Sequence, residues 1–202
     1  MKNRIITSVF TFFILWASQL SAQDLKIGAK GGLNVASFGG DFGDVGPRAG
    51  FHLGLYCNRE QTDRVNLQAE LLYSLQGVKI EDEDIRANLS YINIPLLAQV
   101  KLPEIVEGLS AHGGLQFGFL LSANQKGTFR GNSVDRDIKD DFKGLDASFV
   151  IGAGYEMDSG LNFGLRYNAG LNDINNQTDE DADAKVNNQV FQIWVAYQLW
   201  SN

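Results

Sequence analysis

Apolar and polar residues alternate at every second position in eight separate segments of the chain. In LNFGLRYNAGL (161–171), for example, the apolar residues Leu165 and Tyr167 flank Arg166. Successive side chains of a β-strand point to opposite faces of the sheet, so a period of two predicts strands rather than helices. The predicted strands lie within residues 25–38, 49–57, 65–77, 90–102, 109–122, 147–157, 161–171 and 190–200.

The connections between these segments alternate between short and long. The short ones cover residues 58–63, 103–108 and 158–160, and the long ones about 37–48, 77–89, 123–146 and 172–188. Short periplasmic turns and long outer loops are typical of outer-membrane barrels, and a tilted strand needs roughly 9–11 residues to cross a bilayer. The pattern therefore predicts an all-β fold, an eight-stranded antiparallel up-and-down transmembrane β-barrel with both mature termini in the periplasm.

The apolar face of the eight segments carries no charge, whereas the polar face carries charges of both signs. A Lys or Arg facing lipid at the bilayer midplane costs roughly 2–4 kcal/mol, so we expect the apolar face to contact lipid. The polar face, which is also rich in glycine, would then fill the narrow interior of the barrel. We predict a structural network of charges in the lumen, made of Lys26, Lys30, Glu70, Lys101, Glu156 and Arg166.

Residues 1–22 have the pattern of a cleaved secretory signal peptide. Lys2 and Arg4 precede a short apolar stretch over residues 5–17, and the small residue Ala22 precedes the predicted cleavage site. This stretch is shorter than the roughly 20 residues that a membrane-spanning helix needs. The predicted domains are therefore a signal peptide over 1–22 and a β-barrel domain over 23–202.

Net charge and cysteine content exclude several classes of function. The formal net charge of the chain is −7, and it becomes −9 when Lys2 and Arg4 are removed with the signal. Such an acidic protein is not expected to bind nucleic acid or to use a polybasic membrane patch. Cys57 is the only cysteine in the sequence, which excludes an internal disulfide and a cysteine-based metal cluster.

Aromatic residues near the segment ends indicate where the barrel meets the membrane surface. Such residues form girdles at both interfaces of transmembrane barrels. The aromatic stretch AYQLW near the C-terminus also resembles the C-terminal signal that the outer-membrane assembly machinery recognises. This machinery is an expected partner during insertion. The predicted girdle residues are Tyr73, Tyr155, Tyr167, Tyr197 and Trp200.

Four stretches carry a resemblance to known proteins: GAKGGLNVASF, LQAELLYSLQGVKI, YINIPLLAQVK and GLRYNAGL. Together they resemble the PorT-like outer-membrane β-barrel family of Gram-negative bacteria, and the resemblance covers about residues 24–202. It implies an eight-stranded barrel of OmpA or OmpX size in the bacterial outer membrane. Some members are associated with protein secretion, which implies a secretion or cell-envelope protein as partner. Asn93 departs from the acidic residue that is frequent in the family, and Pro95 predicts a bulge or bend.

No residue set in the sequence predicts catalysis or a cofactor. Asp179, Glu180, Asp181 and Asp183 resemble a calcium-binding loop only loosely, and they are expected, like IEDEDIR (80–86), to form a solvated outer loop. His52 and His112 fall on the polar face, where hydrogen bonding in the lumen is the preferred interpretation over a metal site. The basic and acidic residues of the loop 124–144 form either an extracellular binding surface or a flexible loop.

The sequence predicts a small outer-membrane barrel with a structural or interaction role. Outer-membrane lipids would surround it, and the resemblance implies an accessory role in protein secretion. A narrow pore or passive transporter is one alternative, although eight strands leave no wide channel. A soluble, lipocalin-like ligand carrier is the other. This last alternative requires the apolar face to point inward, so the direction of the two faces decides it.

Overall fold

The computed structural model describes residues 25–40, 45–80, 84–129, 132–177 and 184–201. Among these residues, no helix is both long and apolar enough to cross a membrane. The predicted signal peptide and the carboxylates of residues 179–183 lie outside the described residues, as do residues 81–83 of the second acidic loop. The strands are β1 (Leu25–Gly40), β2 (Val45–Thr62), β3 (Val65–Ile80), β4 (Asp84–Lys101), β5 (Leu109–Phe129), β6 (Asn132–Asp137), β7 (Leu145–Glu156), β8 (Leu161–Gly170) and β9 (Val186–Ser201).

Eight of these strands form a closed antiparallel ring. The ring runs β4-β3-β2-β1-β9-β8-β7-β5, and the additional pairing of β4 with β5 closes it. The first and last strands are neighbours, with Lys26 opposite Ser201. This topology confirms the predicted eight-stranded up-and-down barrel. The ninth strand, β6, was not predicted; it folds back on the end of β5 and, among the described residues, pairs with that strand only.

The two faces of the strands point in the predicted directions. On β1, Leu33 is 65% exposed on the outside of the barrel, whereas the neighbouring Asn34 is fully buried in the lumen. The same contrast holds for Leu165 and Arg166 on β8. A lipocalin-like carrier would need the opposite arrangement, with leucines inside. The exposed girdle residues include Tyr73, Tyr167, Tyr197 and Trp200.

Every barrel strand except β8 is longer than the alternating segment that predicted it. The strands of the barrel have between 10 and 21 residues. β2 continues through residues 58–62, which were assigned to a turn, and β5 continues to Phe129 inside the predicted long loop. The predicted strands were too short because strands continue to pair through their backbones after they leave the hydrocarbon, where an apolar outer face is no longer needed.

The bulge expected at Pro95 is absent, because no register shift occurs at this residue in either pairing of β4, but the ladder to β3 is weakened there. The pairing of β4 with β3 is interrupted next to this residue and resumes in the same register, with Leu72 opposite Asn93. The register shift of β4 lies instead on its β5 side, between Ser90 and Tyr91. Proline lacks one N–H donor, and the pairs on both sides of it hold the register without an extra residue.

Candidate functional site in the barrel lumen

The centre of the lumen holds a triad of charged side chains, which we call the central triad. Lys30 on β1 donates to the Oε1 atom of Glu70 on β3 at 2.8 Å, and Arg166 on β8 donates to Oε2 at 2.6 Å. β3 and β8 lie on opposite sides of the eight-stranded ring. The ion pair between Glu70 and Arg166 therefore spans the lumen. Gln68 donates a further hydrogen bond to Glu70 at 2.6 Å.

Burial makes the central triad energetically important. The three side chains are between 0% and 1% exposed. Removing one partner of a buried ion pair leaves an uncompensated charge, which typically costs about 3–5 kcal/mol. The triad carries one excess positive charge, and the Lys30 Nζ atom lies 4.0 Å from the centre of the Trp194 ring. This cation–π contact partly offsets the excess charge.

Glycines on the inward face make room for the large side chains around the triad. A Cβ atom at Gly164 would lie 2.6 Å from the Trp194 ring, and one at Gly152 would lie 2.5 Å from His112 Nε2. The His112 and Trp194 rings are themselves 6.2 Å apart. The glycine-rich polar face of the sequence thus corresponds to a crowded interior in which side chains touch across the strands.

Most of the side chains that fill the lumen on the loop side of the triad are neutral and polar, and the buried carboxylate of Asp146 accepts a hydrogen bond from Asn188 among them at 3.1 Å. Asn34 donates to Ser74 at 3.0 Å, and its Oδ1 atom accepts a hydrogen bond from Gln192 at 2.7 Å. His52 Nδ1 lies 2.7 Å from the same oxygen. His52 therefore takes part in lumen hydrogen bonding, as the sequence indicated. The side chain of His112, by contrast, contacts the Trp194 ring.

Two further ion pairs lie at the turn end of the lumen, and we call them the turn-end pairs. Lys26 donates to Glu156 at 2.7 Å, and Lys101 donates to Glu60 at 2.8 Å. Their side chains are between 27% and 32% exposed. Water therefore screens the turn-end pairs, whereas the central triad is dry.

The structure places all six charged residues of the sequence prediction inside the barrel, but in three separate groups. Lys30, Glu70 and Arg166 meet at the centre, Lys26 meets Glu156, and Lys101 is bound to a carboxylate that sequence reasoning missed. That carboxylate, Glu60, had been assigned to a turn. It continues the inward phase of Tyr56 and Asn58, which is the signal that could have found it.

Apolar side chains replace polar ones at the loop end of the lumen, in what we call the loop-end cluster. Strand residues that point inward beyond the polar layers meet residues from the loops, and the Phe38 and Phe142 rings are 5.9 Å apart. This cluster packs across the barrel where the long loops begin. Its buried members are Phe38, Val78, Leu89, Tyr91, Leu120, Ala123, Ile138, Ile174 and Val186.

Two loop segments are tied together above the loop-end cluster. Lys143 donates to Asp173 Oδ2 at 2.6 Å, and Asp173 Oδ1 accepts the backbone N–H groups of Asn175 and Val186, each at 3.0 Å. Slight burial would raise the pKa of Asp173, but these hydrogen bonds and the Lys143 charge outweigh it and lower the pKa to about 2. The ionised carboxylate therefore holds the two segments together at neutral pH.

Comparison with known proteins identifies the kind of barrel. The family model described as "Outer membrane protein beta-barrel domain" matches residues 17–176, which is most of the chain. No curated protein matches the chain. Within the part of the chain that the structure describes, no group of three or more His, Cys, Asp or Glu side chains could hold a metal ion.

The chain is similar to solved structures of small outer-membrane barrels. Ail, the attachment invasion locus protein of Yersinia pestis, has a TM-score of 0.52 at 13% identity; the alignment covers 89% of this chain and all of Ail. Neisserial surface protein A has a TM-score of 0.49 at 11% identity, covering 86% of this chain and 97% of the other. The E. coli outer membrane protein W has a TM-score of 0.41 at 16% identity, and the alignment covers 89% of this chain and all of the other.

Proposed function

The chain belongs to the family of outer membrane protein β-barrel domains, and we propose that this small outer-membrane barrel serves a structural or interaction role rather than a transport role. Lipids of that membrane surround the exposed apolar belt. The proposal includes no catalytic step and no cofactor. In this proposal, the protein contacts its partners through the extracellular and periplasmic ends of the barrel, and the strands between them anchor it in the membrane.

The observation that carries the proposal is the filling of the lumen at two levels. The Arg166–Glu70 pair crosses the barrel within the membrane, and both side chains are fully buried. Beyond it, the loop-end cluster packs apolar side chains such as Ile174 and Leu89 across the loop end. A solute would have to break the buried ion pairs of the triad and then cross an apolar layer. Each step is costly, which disfavours the pore alternative.

Both mature termini and the short turns are proposed to lie in the periplasm. The chain ends are neighbours at the turn end, where Lys26 is opposite Ser201. Short periplasmic turns and longer extracellular loops are the habit of bacterial outer-membrane barrels. This orientation leaves the extended β5 and β6 outside the cell, where they could contact a partner.

A narrower role, as an accessory to protein secretion, rests on the resemblance to the PorT-like family. The stretches YINIPLLAQVK and GLRYNAGL carry that resemblance. A secretion or cell-envelope protein is the partner that it implies. Mild-detergent purification from the native membrane, followed by identification of stoichiometric partners, tests this role. Recovery of the barrel without any such partner would count against it.

Conductance in planar lipid bilayers tests the absence of transport. We expect the purified protein to give no stable, reproducible openings, because the central triad and the loop-end cluster fill the lumen. A matched variant, Glu70→Ala, removes the carboxylate that spans the lumen and should raise the frequency of brief openings. Stable openings of the unmodified protein would contradict the proposal and favour the narrow-pore alternative.

A further inference from the structure

The turn between β4 and β5 presents two adjacent aliphatic side chains on its surface, Ile105 and Val106, which we call the apolar tip. Ile105 is 69% exposed, the highest value of any large hydrophobic residue that the structure describes, and Val106 is 49% exposed. The lipid-facing Leu33 is exposed to a similar degree, 65%. Because the transfer of aliphatic side chains from water to lipid is favourable, the apolar tip is a candidate contact surface.

The turn between β2 and β3 is different, although it lies at the same end of the barrel. Its exposed residues, from Gln61 to Arg64, are all polar. The apolar tip therefore belongs to one side of the ring and is not a general feature of the turns.

Backbone hydrogen bonds hold the apolar tip in a fixed position. The N–H groups of Ile105 and Val106 both donate to the carbonyl oxygen of Leu102, at 3.1 and 3.2 Å. The N–H group of Leu109 donates to the carbonyl oxygen of Val106 at 3.1 Å, which closes the turn. Since the backbone is already ordered, contact with another surface costs little further conformational entropy.

The two acidic residues that flank the apolar tip are engaged elsewhere. Glu104 forms an ion pair with Arg64 of the neighbouring turn. Glu107 lines a cavity of about 600 Å³ between the turns, together with Pro103. The tip can therefore meet an apolar phase while one carboxylate keeps its ion pair and the other remains in water.

An aromatic contact connects this turn to the lipid-facing belt. A Cβ atom at Gly108 would lie 3.3 Å from the ring of Tyr155, so this ring packs closely against the turn. The Tyr155 ring is also 5.6 Å from the ring of Phe163, which is exposed on the outside of the barrel. On β4, the exposed Val100 precedes the turn. The apolar tip therefore continues the surface that lipid covers on the strands.

We propose that the apolar tip is seated in the lipid leaflet at the turn end, at the boundary between headgroups and acyl chains. Apolar side chains of interfacial segments are buried about 5–10 Å into this boundary. The long side chain of Arg64 can reach lipid phosphates from beside the tip. Lipid thus anchors this end of the barrel on the β4–β5 side. The leaflet is the periplasmic one in the orientation proposed above, but the contact itself does not depend on that orientation.

Fluorescence of a labelled cysteine tests the contact in lipid vesicles that contain no other protein. The full mature protein with Cys57→Ser carries either Ile105→Cys or the matched control Gln61→Cys, each labelled with the same polarity-sensitive dye. Heat-modifiable gel mobility checks that both variants fold. We expect the label at position 105 to emit at shorter wavelength. It should also be quenched severalfold more strongly by phosphatidylcholine with a nitroxide near the top of its acyl chains. Equal quenching at the two positions would overturn the proposal.

A second pair of variants separates anchoring by the native side chains from insertion of the dye itself. The label is placed at position 106 by Val106→Cys, and Ile105→Asn is then added. We expect this addition to reduce the quenching severalfold, because it removes the more exposed side chain of the tip. The matched change Thr62→Asn in the polar turn should leave the quenching unchanged. Quenching that is insensitive to Ile105→Asn, or equally reduced by Thr62→Asn, would overturn the proposal and leave the tip to a protein partner.

Discussion

The centre and the turn end of the lumen contain the same chemistry in different surroundings. Each has Lys and Glu side chains at hydrogen-bond distance, 2.8 Å for Lys30–Glu70 and 2.7 Å for Lys26–Glu156. The central side chains are fully buried, however, whereas the turn-end side chains are about a third exposed. The difference teaches that burial, rather than contact distance, decides how much an ion pair contributes to the barrel.

Burial also separates what the two regions can do. The central triad has no access to solvent, so its charges can only hold strands together and fill the lumen. The turn-end pairs border a cavity of about 600 Å³ between the turns, so their side chains are in contact with water. One lumen thus combines a closed structural layer with an open mouth.

The largest expected effect comes from Glu70→Gln at the centre. This change leaves Lys30 and Arg166 buried without a compensating charge, so the free energy of unfolding should fall by about 3–5 kcal/mol. Equilibrium unfolding by urea in detergent micelles or lipid vesicles measures it. The matched change Glu156→Gln removes the same charge at the turn end and should cost about 0–1 kcal/mol. Equal losses for the two variants would break the comparison.

A smaller effect is expected for Arg166→Leu. Glu70 keeps Lys30 as its partner, so the remaining charges of the triad balance, and the loss is that of a buried charge-assisted hydrogen bond, about 1.5–3 kcal/mol. Insertion into the membrane should not be blocked, because Leu replaces an inward-facing side chain. Heat-modifiable gel mobility and urea unfolding measure folding and stability. Failure of this variant to insert would show that Arg166 does more than pair with Glu70.

The smallest effect concerns the exposed pair of Lys143 and Asp173 above the loop-end cluster. The pKa of Asp173 is lowered to about 2, so its stabilising contribution is present above its ordinary value of about 4 and is lost as pH falls through about 2. Asp173→Asn should therefore be slightly less stable than the parent protein at pH 5, and the difference should shrink towards pH 2. Parallel unfolding curves with a constant difference over that range would contradict the assignment.

The positions of the strands and the directions of their side chains were predictable from the sequence because contact with lipid constrains both. A charge that faces hydrocarbon is costly, so outward positions such as Leu165 stay apolar in the bilayer, whereas charged residues such as Arg166 face inward. The same rule identified Lys30, Glu70 and Arg166 as inward-facing residues. Their mutual contact depends on strand order and register, which alternation alone does not specify.

The ends of the barrel were less predictable because lipid no longer constrains them. Residues of the loop-end cluster, such as Val78 and Leu89, point inward yet are apolar, which reverses the pattern that marks the membrane segments. Glu60 and β6 were missed for the same reason, since their strands continue in water without an alternating outer face. The cavity at the turn end arises from three turns that only the closed ring brings together.

Site-directed spin labelling in lipid vesicles tests most directly whether hydrocarbon touches the apolar face. A cysteine is placed at Leu53 or Leu165, both exposed on the outside of the barrel, with the native Cys57 replaced by serine. Labels there should collide with oxygen dissolved in the bilayer and be shielded from a water-soluble nickel complex. A label at Ser159 in the last turn should behave in the opposite way. Free access of the nickel complex to positions 53 and 165 would contradict the account.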